Sequence, residues 1–308
     1  MSQKRGYAVA LQNEANLSVK EVSKVFDLCR SSWYYTPLLK HEKRSARPLD
    51  PELVSQLGKL SGFALTLGHR KTAAHMWYEF QKRFNHKKVY RHMDNLNLLQ
   101  PKVVKRKGKR KPPAVLCYCP LQSNLRWESD LTLVPYEHGH LYLFSVIDVF
   151  DKELVGSWFG FRCRKEDAIE ALRQAVFNRF PDGKAPIELT LTVRLDRGCQ
   201  FTSYEFAKAA KLFQVELEFC DVQSPNQKPF IESFFSSYKK EEVYRNEYQN
   251  ATQALLAWPE YVEWYNTKRP HGSLNYLSPV QFRALHPKQT AVDRTLKLTP
   301  QRQVKLTP

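Results

Sequence analysis

The apolar pattern between residues 125 and 242 constrains the fold more than any other feature of this chain. Three runs rich in β-branched and aromatic residues, LRWESDLTLVPY, HLYLFSVIDVFD and ELVGSWFGF, follow one another with a tight connection at Asp151-Lys152. That pattern predicts an antiparallel meander. The period then changes: EDAIEALRQAVFNRF places Ile169, Leu172 and Val176 on one helical side. After it come a strand IELTLTVRL, a helix SYEFAKAAKLF, a short strand VELEFC and a helical stretch from Pro229 to Glu242. Three strands followed by alternating helix and strand predict an α/β domain, a mixed sheet with helices packed on it.

Charge divides the chain differently. Of 48 Lys and Arg against 31 Asp and Glu, residues 1–112 hold 24 basic and 8 acidic side chains, and residues 113–308 hold 24 and 23. The amino-terminal part is therefore +16 and the rest +1, which predicts a polyanionic partner for the first part, with nucleic acid the commonest. In NLSVKEVSKVFDLCRSSWYY, Ser18 can cap a helix carrying Val19, Val22 and Val25 or Phe26 on one face. In HRKTAAHMWYEFQKRFNHKKVYRHMDNLNLL, two short helices separated near Asn85 present Arg70, Lys71, Lys87, Lys88 and Arg91 on their polar sides. Helix, turn, helix is the shape of a major-groove reader; a small helical domain with a solvated basic face is the plainer reading. The segment PKVVKRKGKRKPP, which includes Lys105, Arg106 and Lys107, packs seven cations among Pro and Gly and reads as a linker, a solvated hinge or a strap across phosphates.

No apolar run approaches the roughly 20 residues of a membrane span and the start lacks the apolar core of a secretory signal, so a cytosolic protein with no membrane partner is expected. The six cysteines include no C-x-x-C pair, which argues against a disulfide framework or a zinc site.

Three carboxylates occupy telling places in the α/β part. Asp130 lies mid-strand in WESDLTL, where an unpaired charge is costly. Asp196 ends the strand LTVRL, and Glu232 lies on the helix of PFIESFFSSYKKEE. Carboxylates from a strand, a strand end and a helix can converge on hard cations, for which Mg²⁺ is the natural guest. Two such ions, roughly 3.5–4 Å apart, clamp the attacking and leaving oxygens of a phosphodiester. Lys239 stands seven residues after Glu232, two helical turns on, so cation and carboxylate share a face. Taken singly, an Asp at a strand end is usually a turn former, and a Glu or Lys on a helix is usually solvated. Asp148 and Asp151 read as turn formers, Trp127, Trp258, Trp264 and Tyr265 as core, and His271 either as a DNA contact or as an anchor for the tail.

These residues carry a resemblance. From Leu17 to Phe282 the chain is similar to the DDE transposases of bacterial insertion sequences, the branch with a retroviral-integrase-like core, through WESDLT, LYLFSVIDVFDKELVG, RLDRGCQFTS, SPNQKPFIESFFSSYKKEEVY and WYNTKRPHGSLNYLSP. The 35 residues between Asp196 and Glu232 give the D-D-35-E spacing, with Asp130 as the first D. The resemblance implies a ribonuclease H-like core with Asp130, Asp196 and Glu232 as catalytic metal ligands. It further implies two Mg²⁺ ions that Mn²⁺ can replace, and Lys239 as a DNA contact. The expected division is a helix-turn-helix-like segment at 1–48, a helical DNA-binding domain at 49–100, a basic linker at 101–120, the integrase-like core at 121–284 and a flexible tail at 285–308. Expected partners are double-stranded DNA, as element ends and target, and further copies of the chain assembled on it in the bacterial nucleoid. The chain departs from the family pattern at Leu195, Lys228 and Pro229. Pro229 suits a first helical turn; Lys228, four residues before Glu232, can aid DNA binding or compete with a metal. Two alternatives stay open: a catalytically inactive copy repurposed as a DNA-binding regulator, and a nuclease that hydrolyses without joining.

Overall fold

In a computed structural model, residues 2–29, 33, 48–100, 120–221 and 227–287 are described. Lys105, Arg106, Lys107, the rest of the basic linker, Cys117, Cys119 and the tail from residue 288 lie outside the described residues. The chain divides into two compact units, residues 1–50 and 51–308.

The first unit holds helix α1 (Ser2–Ala15) and helix α2 (Val19–Val25). A helical segment was expected over 1–48, with no helix delimited before Asn16. Ala, Gln, Lys and Glu favour one, and it stops where Asn16 turns left-handed at φ 51°. Ser18 caps α2 as expected: its hydroxyl accepts from Glu21 N at 3.3 Å while the Glu21 carboxylate accepts from Ser18 N at 2.9 Å. Ala8, Val22 and Trp33 are buried together.

The second unit begins with helix α3 (Pro51–Gly58), a 3₁₀ turn (Gly62–Thr66), helix α4 (His69–Phe80) and helix α5 (His86–Asn95). Gln81 ends α4 in a left-handed conformation and the Asn85 side chain caps α5, so the break falls where the sequence placed it. Leu53, Leu57, Leu60, Met76, Val89 and Met93 form their core.

The sheet contains β1 (Arg126–Tyr136), β2 (Gly139–Asp148), β3 (Leu154–Gly160), β4 (Leu191–Leu195) and β5 (Val215–Phe219), in the order β3-β2-β1-β4-β5. β1, β2 and β3 form the antiparallel meander; β4 and β5 join parallel to β1. This is the mixed, ribonuclease H-like arrangement that the sequence predicted. The one shortfall is β4, which begins at Leu191 rather than Ile187, because Leu189 N turns back to the Pro186 carbonyl.

Alternation along each strand divides the apolar side chains between two faces. On one face Trp127, Phe144, Val146, Val155, Leu191 and Val193 pack under helix α6 (Lys165–Arg179) and helix α7 (Tyr204–Leu212). Gly156 lets α6 sit directly on β3: a Cβ there would lie 2.4 Å from the Ala171 carbonyl. On the other face Val134, Leu141, Leu143 and Ile147 meet helix α8 (Pro229–Tyr238) and helix α9 (Ala251–Thr267) through Phe234, Tyr238, Trp258, Tyr261 and Tyr265. The helical stretch expected to Glu242 is α-helical only to Tyr238; Lys239–Val243 form a π turn. A final helix α10 (Pro279–Leu285) is capped by Ser278. Among the described residues, no helix is long and apolar enough to cross a membrane.

Candidate active site

Strand register brings the first two carboxylates together. Glu128 of β1 pairs with Arg194 of parallel β4, so two residues further on stand Asp130, within β1, and Asp196, just past the end of β4. With a side-chain period of two, both lie on the α8 face of the sheet. Their oxygens share one cation: Lys228 Nζ lies 2.8 Å from Asp130 Oδ1 and 3.8 Å from Asp196 Oδ2, and donates to the Ser129 carbonyl at 3.3 Å. The other oxygen of Asp196, Oδ1, accepts from Gly198 N at 3.0 Å, and a Cβ on Gly198 would press on that oxygen at 3.0 Å.

Glu232 lies one helical turn beyond Lys228 and is exposed. Its carboxyl is held above the usual range by partial burial and by the charge of Asp130, with Lys228 opposing. Asp130 and Asp196 thus meet about a common cation, and Glu232 lies near enough to Asp130 and Lys228 to feel their charges. Among the described residues, no set of three or more His, Cys, Asp or Glu side chains closes into a ready cage for a metal. The Lys228 ammonium is the stand-in cation of this site, and two hard oxygen donors aimed at it fit a divalent ion such as Mg²⁺.

A residue that the sequence reading passed over fixes Glu232 relative to Asp130. Glu128 is buried and accepts from Phe230 N at 3.0 Å and Ile231 N at 2.9 Å, which ties the first turn of α8 to β1. Burial pushes its carboxyl up to about 7 against the pull of those two N–H groups, Lys152 and Arg194. Its signal was available: a Glu two residues before Asp130 must share the face of Asp130. Gln227 is pinned in turn, its carbonyl by Arg194 Nη1 at 2.8 Å and its side chain by Asp221.

The motif at 264–279 holds the far end of α8. Arg269 makes a two-pronged pair with Glu241, Nε to Oε2 at 2.8 Å and Nη2 to Oε1 at 2.6 Å, and reaches the Ser237 hydroxyl at 3.1 Å. Asn266 binds both backbone groups of Leu154, joining α9 to β3. His271 is buried with its ring edge against Tyr265, and its backbone N donates to the Leu277 carbonyl, which holds the turn at 272–277. Asp148 and Asp151 shape their turn as expected, yet both are fully buried in a network with Arg179 and Trp127, which the turn reading did not anticipate.

The basic residues fall into two groups. Lys239 begins the π turn, half-buried, and Arg70 and Lys87 are exposed near the starts of α4 and α5, where the His69 and His86 rings lie 5.8 Å apart. Lys88 sits over the Phe84 ring, and Arg91 is half-buried one turn beyond Lys87. Two residues expected to contact DNA are drawn inward. Lys228 is spent inside the acidic site. For Lys71, burial, aided by Arg269 and opposed by Glu241, brings the ammonium down to about 8. The cause is packing: Phe63, beside α4, lies on Tyr261 and Trp264 of α9 at 5.4 and 5.1 Å, so one side of the helical region is an interior side.

The sequence matches the family described as integrase core domain over residues 120–225, and a second family of the same description over residues 213–279. Similar proteins include the transposase for insertion sequence element IS904 of Lactococcus lactis subsp. lactis (strain IL1403), 29% identical over 160 residues, which are 52% of this chain and 61% of that protein. This chain therefore spans less than two thirds of that relative. A 31.7 kDa protein of insertion element IS407 from Burkholderia multivorans is 26% identical over 90% of this chain and 94% of its own length. The putative transposase InsK for insertion sequence element IS150 of Escherichia coli (strain K12) is 26% identical over 70% and 77%. Among solved structures, the simian T-cell lymphotropic virus intasome matches at 15% identity with a TM-score of 0.46, covering 76% of this chain and 80% of that one. The HTLV-2 integrase catalytic core domain in complex with magnesium matches at 16% identity with a TM-score of 0.40, covering 53% and 98%.

Proposed function

We propose that this chain, matched by integrase core domain models over residues 120–225 and 213–279 and similar to transposases of bacterial insertion sequences, binds the ends of a mobile DNA element and performs two phosphoryl transfers at Asp130, Asp196 and Glu232. In the first, water attacks a phosphodiester at the element end and frees a 3′ hydroxyl. In the second, that hydroxyl attacks a target phosphodiester in line, and the leaving 3′ oxygen departs with a proton from solvent.

The observation that carries this reading is the convergence of Asp130 and Asp196, from adjacent parallel strands, on one cation beside Glu232. Two Mg²⁺ ions held by these three carboxylates, with Mn²⁺ as a substitute, supply Lewis-acid stabilisation of the attacking and departing oxygens when bound. Glu128 sets the distance between the Asp130 strand and the Glu232 helix, and Gly198 N orients Asp196. Lys239, two turns along from Glu232, holds a phosphate of the same strand. Arg70, Lys87, Lys88 and Arg91, with Lys105, Arg106 and Lys107 of the linker, hold duplex through its phosphates. Joining two ends requires at least two copies of the chain on DNA.

The test is Asp130→Asn with labelled element ends, Mg²⁺ and a target plasmid. The expected outcome is loss of both cleavage and joining by at least about 10²-fold, with duplex binding retained. A wild-type protein that binds ends but yields no product, with Asp130→Asn indistinguishable from it, establishes a binding regulator instead. Nicks without joined ends establish a hydrolytic nuclease.

A further inference from the structure

Lys228 is placed by construction. Gln227 before it is held by Arg194 and Asp221, Pro229 after it fixes the first turn of α8, and Glu128 binds the next two backbone N–H groups. Its side chain is 9% exposed and inserts the ammonium between Asp130, Asp196 and the Ser129 carbonyl. The two aspartates are themselves more open, at 20% and 49%. A cation from solvent can therefore reach their oxygens, but it meets a positive charge already in contact with Asp130. Two cations on one carboxylate oxygen repel strongly at such distances. A divalent ion and the ammonium thus exclude each other at this position, and the four-carbon stem of lysine allows the ammonium to move without the helix. Outside the site, a DNA phosphate is the partner of matching charge.

We propose that Lys228 is a tethered counter-cation: it occupies the acidic site in the DNA-free protein, excludes divalent metal there, and yields the site when a DNA phosphate receives its ammonium. The proposal rests on the reading of Asp130 and Asp196 as metal ligands. It makes metal and DNA binding mutually reinforcing, since whatever draws the ammonium away from Asp130 raises metal affinity, and metal in turn frees a cation for DNA.

Mn²⁺ binding, followed by electron paramagnetic resonance on the full chain with and without duplex DNA, tests this apart from any reaction. Lys228→Met is expected to bind Mn²⁺ about tenfold or more tightly than wild type without DNA. Duplex is expected to tighten Mn²⁺ binding in the wild type and to change it far less in the variant. Lys228→Gln, which keeps a donor for the Ser129 carbonyl without the charge, gives the same comparison if the Met variant does not fold. Equal Mn²⁺ affinity in wild type and variant overturns the proposal, as does duplex that tightens binding equally in both. If neither wild type nor either Lys228 variant binds Mn²⁺, with or without DNA, and Asp130→Asn changes nothing, the metal reading itself fails and takes this proposal with it. Weaker binding in Asp130→Asn beside unchanged binding in the Lys228 variants leaves the metal reading standing and removes only the tethered cation.

Discussion

Single buried carboxylates set much of the local architecture, and they make sharp predictions. Glu128→Ala removes the acceptor for Phe230 N and Ile231 N and leaves two interior donors unmet, a loss of about 1–3 kcal/mol in urea unfolding. Glu128→Gln, whose amide oxygen still accepts, should recover part of it. Asp148 adds a pH dependence. Burial first, and the neighbouring Asp151 second, raise its carboxyl to about 7, against Arg179 and the N–H groups of Asn124 and Phe150. Because the folded value lies above the unfolded one, protonation favours the native state: its contribution is full below about pH 4 and is lost as pH rises through about 7. Thermal unfolding followed from pH 5 to 8 should show stability falling, and Asp148→Asn, neutral throughout, should flatten that slope. Asp130 stood out in the sequence because a charge is costly in an apolar strand, and Asp196 and Glu232 because their spacing matched a known pattern. Glu128 was passed over, and for Lys228 the choice between a DNA contact and a competitor for metal stayed open, since which partner a buried charge finds depends on strand register and helix placement.

Elements were legible to the extent that periodicity and caps determine them. The meander, α6, α7 and the break at Asn85 follow from alternation, helical spacing and cap chemistry in the residues themselves. The early end of α8 as a true α-helix did not, because its change to a π turn at Lys239 is bound up with tertiary contacts. Arg269 from beyond α9 grips Glu241 within that turn, and Tyr261 of α9 donates its hydroxyl to the same carboxylate at 3.2 Å. Such turns recur at functional sites, and here it begins at the lysine proposed to hold DNA. The pair is buried, so removing one partner is the costly change: Glu241→Ala should destabilise by about 3–5 kcal/mol, with Arg269 left uncompensated. Replacing both, as Glu241→Leu with Arg269→Met, should cost less than Glu241→Ala alone. Urea midpoints for the single and double variants measure the difference; a double variant no more stable than Glu241→Ala excludes an uncompensated charge as the cause.

At the scale of the whole molecule, the charge division of the sequence and the packing of the second unit point in different directions for individual lysines. The count of signs predicted a polyanionic partner for the part before residue 113, with Arg70, Lys71, Lys87, Lys88 and Arg91 among its contacts. Packing of the Phe63 turn against α9 makes one flank of the helical region internal and withdraws Lys71 from that set. Counterion release separates the two kinds of lysine, because each phosphate neutralised by a cation adds about 0.9 to the slope of log K against log salt. Replacing Lys105, Arg106 and Lys107 together by Ala should therefore lower the slope for duplex binding by up to about 2.7, and Lys87→Ala by about 0.9. Lys71→Ala should leave the slope unchanged and instead reduce stability through loss of its packed aliphatic stem, the charge itself being disfavoured there by burial and Arg269. Fluorescence anisotropy over a range of salt concentrations, beside a urea melt of the same variant, reads both quantities. A Lys71 variant that loses slope but no stability would mean that this helical face meets DNA rather than the core, and the docking of the helical region on α9 would then have to be released when the duplex binds.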